Sequence, residues 1–281
     1  MILNGKIVAD TIKQQLKEEI DDAVTSGRRR PRLVIISVGD DSASKVYVRN
    51  KIKAAEECGI EVKHVIFSAD DTDLDIAHRI RGCNANPNVD GIMLQLPLPE
   101  SFNERGLLDL IAPSKDVDGL TTTNIGRLRS GQPCIKPCTA QGIIDLLDYY
   151  NIEMDGKDVT IVGRSNIVGK PLADMMMARG ATVTQCHSHT WNLDFHIQGA
   201  DIVVSAIGKP KKFGSTELSG WHDAIIDVGI NRDENEKLCG DVDFDAVKDH
   251  CSAITPVPGG VGPMTVAELM KNTVECWRKN V

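Results

Sequence analysis

Tyr47 and Lys51 stand four residues apart in a stretch with helical apolar spacing, so they share one face. A lysine beside an aromatic ring and partly out of water can take up or release a proton. Taken alone, Tyr-x-x-x-Lys is more often an exposed lysine beside a packed tyrosine. Gln95-Leu-Pro-Leu-Pro99 ends an apolar run, at the edge where open parallel sheets bind ligands. Gln95 there can orient a lysine or a substrate amide, or simply open a loop. In Asp116-Val-Asp118-Gly119 a carboxylate can pair with a flat ring offering two N–H donors, or can stabilise a turn.

A second constellation lies downstream. Asp158-Val-Thr-Ile-Val-Gly163-Arg-Ser-Asn-Ile-Val-Gly169-Lys-Pro171 reads as strand, polar turn and helix start. Such a turn offers backbone N–H groups and a helix N-terminus to a phosphate. Its glycine spacing is not Gly-x-Gly-x-x-Gly, so alone it is a weak signal. The following strand ends in Cys186-His187-Ser188, without the carboxylate that NAD-specific domains place at the adenosine ribose. Together with Arg164 this favours a 2′-phosphate, hence NADP. Tyr-x-x-x-Lys is also the catalytic pair of short-chain dehydrogenases. There it follows the dinucleotide turn within one domain, and here it precedes the turn by a whole domain. Cys134, Cys138, Cys186, His187 and His189 lack the usual zinc spacing, and no metal is expected. Pro256-Val-Pro-Gly-Gly-Val-Gly-Pro-Met-Thr265 is a tight turn whose glycines allow close backbone approach to a ligand, or serves only as a connector.

The elements that position these residues alternate. Residues 6–26 carry a helical stripe with Gly27 as stop. Strands are expected at 33–38, 62–67 and 91–96. A helix capped by Ser42 or Ser44 runs to Cys58, and another spans 74–83. Residues 112–138 read as loops. A helix at 139–150 leads to strands at 159–162, 182–186, 202–206, 224–228 and 253–255, with helices at 167–179 and 192–198. The last helix carries Val266, Leu269, Met270, Thr273, Val274 and Trp277 on one face and must pack somewhere. The alternation predicts an α/β fold of two domains. An N-terminal three-layer substrate domain would comprise residues 1–138 plus 264–281. A Rossmann-like doubly wound NADP domain would span 139–263. The C-terminal helix would return to the first domain, giving two crossings and a cleft between the domains.

Bulk properties bound the function classes. The chain has 281 residues, 41% hydrophobic and 26% charged, with net charge −8. Acidity argues against a nucleic-acid partner. No apolar run reaches ~18 residues, so no membrane span is expected. The N-terminus lacks the pattern of a secretory signal. The eight cysteines are scattered, as in a reduced cytoplasmic protein.

Six segments in order carry a resemblance: Ser42–Lys51, Gln95–Pro99, Lys115–Gly119, Pro137–Thr139, Gly163–Pro171 and Thr255–Thr265. Together they resemble the bifunctional methylenetetrahydrofolate dehydrogenase/methenyltetrahydrofolate cyclohydrolase family over nearly the whole chain. The resemblance implies an NADP-dependent oxidation of 5,10-methylenetetrahydrofolate, then hydrolysis to 10-formyltetrahydrofolate, a one-carbon supply for purine biosynthesis. It implies Lys51 as the catalytic lysine, Tyr47 packing on the folate rings, Gln95 bonded to Lys51, and Asp118 on the amino-pyrimidine edge. Leu94, Leu96 and the turn Pro258, Gly259, Gly260, Val261 and Gly262 would border the folate. Gly163, Arg164, Ser165, Ser188 and Ile230 would contact NADP. It also implies a cytoplasmic homodimer joined through the nucleotide domain. A shikimate-dehydrogenase-like enzyme would not require Asp-Val-Asp-Gly or the Pro-Gly-Gly-Val-Gly-Pro turn. A non-catalytic sensor of NADP or folate would not require Lys51, Gln95 and Asp118 together.

Overall fold

The computed structural model describes residues 1–280; residue 281 and the side chains of residues 42 and 43 lie outside the described set. The chain divides into two compact units, Asp10–Cys138 with Val266–Val281, and Met1–Ala9 with Thr139–Thr265. In chain order the elements of the first half are α1 (Gly5–Thr25), β1 (Arg32–Val38), α2 (Ser42–Cys58), β2 (Glu61–Phe67), α3 (Asp73–Ala85), β3 (Gly91–Leu94), α4 (Glu104–Leu108) and α5 (Thr122–Arg129). Then come α6 (Cys138–Tyr149), β4 (Asp158–Val162), α7 (Gly169–Met177), β5 (Thr182–Cys186), α8 (Leu193–Gln198), β6 (Ile202–Ser205) and β7 (Ala224–Asp227). A short pair, β8 (Asn231–Arg232) and β9 (Leu238–Cys239), precedes α9 (Phe244–Val247) and α10 (Val261–Asn280).

In the unit built on residues 10–138, three parallel strands pair in the order β2-β1-β3. The run Leu33-Val-Ile-Ile36 is buried on both faces, as a central parallel strand requires. Leu33, Ile35 and Met93 face Leu16 and Ile20 of α1, Ala55 of α2 and Trp277 of α10. Val34, Ile36, Ile92 and Leu94 face Ile76 and Ile80 of α3. This is a three-layer arrangement. The apolar stripe of α10 finds its partners here, with Leu269, Met270, Val274 and Trp277 in one core. Completely burying each such side chain contributes about 1.5–3 kcal/mol, so the terminal helix is integral to this unit.

Several boundaries differ from the sequence expectation for physical reasons. The cap of α2 is Asp41, not Ser42 or Ser44: its carboxylate accepts the Ser44 N–H at 2.7 Å. The side chain of Ser42 lies outside the described residues. Strand β3 stops at Leu94; the Gln95 N–H still reaches Ile36 O at 2.8 Å, and the cis Leu96–Pro97 bond then turns the chain away. The expected loop 112–138 contains α5, capped by Thr121 through the Asn124 N–H. Its polar composition hid it from apolar periodicity.

In the other unit, four parallel strands pair in the order β5-β4-β6-β7. The order runs in opposite directions on the two sides of β4, which makes its C-terminal end a topological switch point. Val162, Val203 and Ile225 belong to a core shared with Ile197 and Ile254. Their neighbours Ile161, Val204 and Ile226 are also buried, so the sheet is covered on both faces. Residues 253–255 form no regular strand. Ile254 makes isolated bridges to Ile225 and Ile2. The Leu3 N–H donates to Ile254 O at 2.8 Å, and the Ile254 N–H to Met1 O at 3.0 Å. These bonds explain why the first nine residues group with the nucleotide unit, so the chain crosses between units three times. No helix among the described residues is long and apolar enough to cross a membrane.

Candidate active site

Lys51 leaves the face of α2 that points toward the C-terminal end of β3. Its Nζ donates to Gln95 Oε1 at 3.1 Å and lies 3.5 Å from Met93 Sδ. Met93 and Gln95 are two apart along the strand direction, so both project to the α2 side. The intervening residues Leu94 and Leu96 project to the α3 side, where both pack into the core. Their side chains are thereby taken up by packing, leaving backbone to meet a ligand. Gln95 is buried and its Nε2 donates to Leu96 O at 2.6 Å, which fixes which end of the amide faces Lys51. Tyr47, one turn before Lys51, is 39% exposed. A small pocket of about 40 Å³ adjoins Gln95, lined in part by Ser37, Ser44, His64 and Pro97. The Ser37 hydroxyl and His64 Nε2 are 2.8 Å apart at its wall. The space suffices for a water molecule or two beside the amide.

The segment Lys115–Gly119 assigns each residue a different task. Lys115 Nζ donates to the carbonyls of Asn84 at 2.9 Å and Asn86 at 2.8 Å, closing the end of α3. Asp116 is buried and accepts the N–H groups of Gly119, Leu120 and Thr121 and the Asn124 amide, at 2.9–3.2 Å. Val117 is core, and its carbonyl accepts from Asn272 Nδ2 at 2.9 Å and from the Cys138 thiol at 3.3 Å. Gly119 has φ +71°, and a Cβ there would stand 2.5 Å from the Lys136 carbonyl carbon. Only Asp118 remains to face the lysine. Burial lifts its carboxyl above the usual range; Lys51 and the Cys138 thiol pull it back, while Asp116 pushes it further up. Burial likewise drives the Cys138 thiol well up, with Asp118 and Glu268 adding to the effect. Cys138 and Met93 were not assigned roles from the sequence. Period-two reading from Gln95 would have found Met93, whereas Cys138, weighed as a metal ligand and lying in the segment Pro137–Thr139, gives no local sign of its contact with Asp118.

Asp116→Ala is expected to leave the Leu120 and Thr121 N–H groups without an acceptor, while Gly119 keeps the Asp116 carbonyl, and to cost about 3 kcal/mol or more. Urea unfolding should show a lower midpoint with an unchanged slope, and a shift of less than a few tenths of a kcal/mol would remove Asp116 from this role.

In the nucleotide unit the turn after β4 is built around Ser165. Its Oγ accepts the Val168 and Gly169 N–H groups at 3.1 and 3.4 Å. This is why α7 starts at Gly169 rather than at 167. The N–H groups of residues 168–170 are thus satisfied by Ser165, which leaves those of the preceding turn as the ones open to a phosphate. The backbone N–H groups of residues 164–167 have no hydrogen-bond acceptor among the described residues. Arg164 and Ser165 are exposed beside them. Gly163 has φ +137°, and a Cβ on it would lie 2.5 Å from Ala206 O. The turn therefore hugs the end of β6 and leaves a backbone-lined cradle that suits a dinucleotide pyrophosphate. Ser188 is exposed beyond β5, next to His187, whose Nδ1 accepts the His189 N–H at 3.2 Å. No carboxylate stands in Cys186-His187-Ser188, so the donor set fits a phosphorylated ribose. Among the described residues no group of three or more His, Cys, Asp or Glu could hold a metal ion.

Ile230 follows β7 and is exposed. A Cβ on Gly262 would come 3.9 Å from Ile230 Cδ1, so the Gly-rich turn and the Ile230 loop adjoin. That turn contains the cis Val257–Pro258 bond. Pro258 is exposed, Gly259 and Gly262 are partly exposed, and Gly260 and Val261 are buried. The Lys6 N–H donates to Gly259 O at 3.1 Å.

Comparison with known proteins agrees with these features. Residues 3–118 match the catalytic domain, and residues 137–281 the NAD(P)-binding domain, of the tetrahydrofolate dehydrogenase/cyclohydrolase family. The bifunctional protein FolD of Methanoculleus marisnigri is 50% identical over 97% of this chain and 95% of its own length. The crystal structure of the bifunctional FolD enzyme from Campylobacter jejuni superposes with a TM-score of 0.97 at 41% identity, covering 100% of this chain and 99% of that one. The Trypanosoma brucei methylenetetrahydrofolate dehydrogenase-cyclohydrolase, solved with NADP and an inhibitor, gives a TM-score of 0.93 at 36% identity, over 99% of this chain and 97% of that one. With both domain matches in place and half of all positions shared with a full-length relative, the chain belongs to the tetrahydrofolate dehydrogenase/cyclohydrolase family.

Proposed function

We propose that this protein oxidises 5,10-methylenetetrahydrofolate to 5,10-methenyltetrahydrofolate with NADP and hydrolyses the product to 10-formyltetrahydrofolate. The observation that carries this reading is Lys51, held by Gln95 Oε1 with Met93 Sδ beside it and interacting with the buried Asp118 carboxyl. We assign the folate chiefly to the unit of residues 10–138 with 266–281, and NADP to the unit of residues 139–265, with which the first nine residues group. Gly163, Arg164, Ser165, Ser188 and Ile230 are the cofactor contacts. Tyr47, Lys51, Gln95, Asp118 and the turn 258–262 are the folate contacts.

When bound, NADP supplies the acceptor for hydride. The one-carbon unit bridges two nitrogens whose lone pairs stabilise the cation left behind, so the protein's task is alignment. Tyr47 offers a ring face to the folate rings. Asp118 accepts the paired N–H donors of the amino-pyrimidine edge. In the second step water adds to the methenyl carbon, forming a C–O bond. As the bond from that carbon to one bridging nitrogen breaks and the C=O forms, the oxygen gives up both of its protons, one to solvent and one to the departing nitrogen. Lys51 Nζ carries the proton, with Gln95 fixing where it stands.

Several observations support NADP over NAD: the exposed Arg164, the missing carboxylate after β5, and the NADP complex of the trypanosomal relative. The eight cysteines are free thiols, in keeping with a cytoplasmic protein. A homodimer through the nucleotide domain is the expected assembly, to be checked by light scattering. The decisive assay supplies methylenetetrahydrofolate with NADP or NAD and follows reduced cofactor and the methenyl absorbance separately. Reduced cofactor without lasting methenyl accumulation is the expected outcome. No reduction with either cofactor would overturn the dehydrogenase assignment.

A further inference from the structure

Two carboxylates in the nucleotide unit are buried without being part of any site named above. Asp241 is fully buried. Its Oδ2 accepts the Ser205 hydroxyl at 2.9 Å and the N–H groups of Ile207 at 2.8 Å and Gly208 at 3.3 Å. Its Oδ1 accepts the Lys209 N–H at 2.8 Å and the Asn231 amide at 2.9 Å. Asp227, at the end of β7, is its neighbour. Asp227 Oδ1 accepts the N–H groups of Gly229 and of Asp241 itself, both at 2.9 Å, and Oδ2 accepts that of Val242 at 2.8 Å. Its own N–H donates to the Thr255 hydroxyl at 2.7 Å.

This arrangement is unusual in one respect. No cation is among these partners, and two like charges sit side by side away from water. Burial, helped by Asp241, pushes the Asp227 carboxyl up to about 6 against the pull of its backbone donors. A buried carboxylate is costly unless its lone pairs are met, and here neutral donors meet them. A structural knot that only joined strands would be served by apolar packing at lower cost. The donors, however, come from two specific loops. Residues 206–209 follow β6, and residue 206 is the backbone against which Gly163 abuts. Residues 229–231 follow β7 and carry Ile230. Both loops leave the sheet at its C-terminal edge, the side on which ligands bind in this architecture.

We propose that Asp241 is a positioning residue for the cofactor, holding the loop after β6 and the Ile230 loop in register with the phosphate turn. This inference rests on the NADP reading above and adds a residue that touches neither folate nor cofactor. The polarity follows from the chemistry. A carboxylate offers acceptor lone pairs in several directions, so one side chain can collect converging N–H groups from separate loops. An amide of the same shape turns two donors toward donors and cannot.

The test uses the full-length protein in two forms. Asp241→Asn keeps the shape and removes acceptors, while Asn231→Ala removes one partly exposed donor and leaves the core intact. Affinity for NADP is read directly by titration calorimetry. Dehydrogenase kcat and KM are read separately, and hydrolysis of supplied methenyltetrahydrofolate, which consumes no cofactor, is read alongside. The expected result for Asp241→Asn is NADP binding weakened by about tenfold or more, the worth of one charge-assisted hydrogen bond. The NADP KM should rise in parallel while the hydrolysis rate stays within about twofold. Asn231→Ala should shift NADP binding in the same direction by a smaller factor. Should Asp241→Asn fail to fold, Asn231→Ala decides by itself. NADP affinity unchanged in Asn231→Ala and in folded Asp241→Asn overturns the proposal. So does a parallel fall of both activities in folded protein, which marks a merely structural role. Wild-type protein that binds no NADP overturns the cofactor reading itself, a separate and recognisable failure.

Discussion

Lys51→Met is expected to remove cyclohydrolase activity by roughly 10²–10⁴-fold, the range of a lost general acid–base group. Dehydrogenase turnover should fall far less, and the methenyl product should accumulate. The asymmetry follows from what each step asks of the protein. Hydride departure is driven by the nitrogen lone pairs of the folate and needs alignment, whereas adding water needs somewhere for a proton to go. Methionine preserves the length and apolar stem of the side chain, so the packing of α2 is little disturbed. It removes the donor to Gln95 Oε1, which is buried and then lacks its partner. That loss should cost about 1–3 kcal/mol of stability, visible as a lower unfolding midpoint without loss of fold. Methenyl absorbance rising with reduced cofactor and then holding steady is the diagnostic trace. If both activities fall by the same factor, Lys51 belongs to substrate positioning alone, and the proton must travel by another group.

Gly163→Ala is expected to be the most damaging single-methyl change in the nucleotide unit. The backbone there has φ +137°, outside the region that an L side chain adopts without strain. The added Cβ would also sit 2.5 Å from Ala206 O and 3.3 Å from Ala206 Cβ. Neither neighbour is the flexible end of a side chain, so one of the two loops must move. Strain of this kind costs about 1–3 kcal/mol, before counting the steric displacement. The loop that moves is the one expected to cradle the pyrophosphate, so NADP KM should rise by about tenfold or more. Hydrolysis of supplied methenyltetrahydrofolate should change little, because its catalytic residues lie in the other unit. Gly126→Ala supplies the comparison. Gly126 lies inside α5, nothing stands within 4 Å of its would-be Cβ, and alanine there should be neutral or stabilising by up to about 1 kcal/mol. Equal effects at the two positions would show that the crowding at Gly163 is not what matters.

How much of this was legible beforehand depends on whether a signal is local. Apolar runs such as Leu33–Ile36 and Val159–Val162 are their own evidence, because a strand buried on both faces has no alternation to hide. The stripe of α10 was visible for the same reason, and its place in the core with α1 and α2 followed from needing a partner. Glycine and proline marked the turns. Short or polar elements escaped. Helix α5 is capped by Thr121 but presents no apolar stripe, and β8 and β9 are two residues each, too short for any period to register.

Residue types and their order, by themselves, determined that a lysine and a tyrosine share a helix face, that a Gly-bounded turn follows a buried strand, and which family those motifs resemble. These are properties of neighbours in sequence, where spacing and chemistry suffice. Only the tertiary structure decided that Met93 stands beside Lys51, since strand order brings together positions that no local pattern links. It gave the physical reason why Asp118 rather than Asp116 is available, since Asp116 is consumed by its own turn. It also showed that Ser165 holds the helix start. Asp241 was silent in the sequence because an aspartate in a polar stretch looks solvated. Its meaning comes entirely from the loops after β6 and β7 converging on one buried carboxylate.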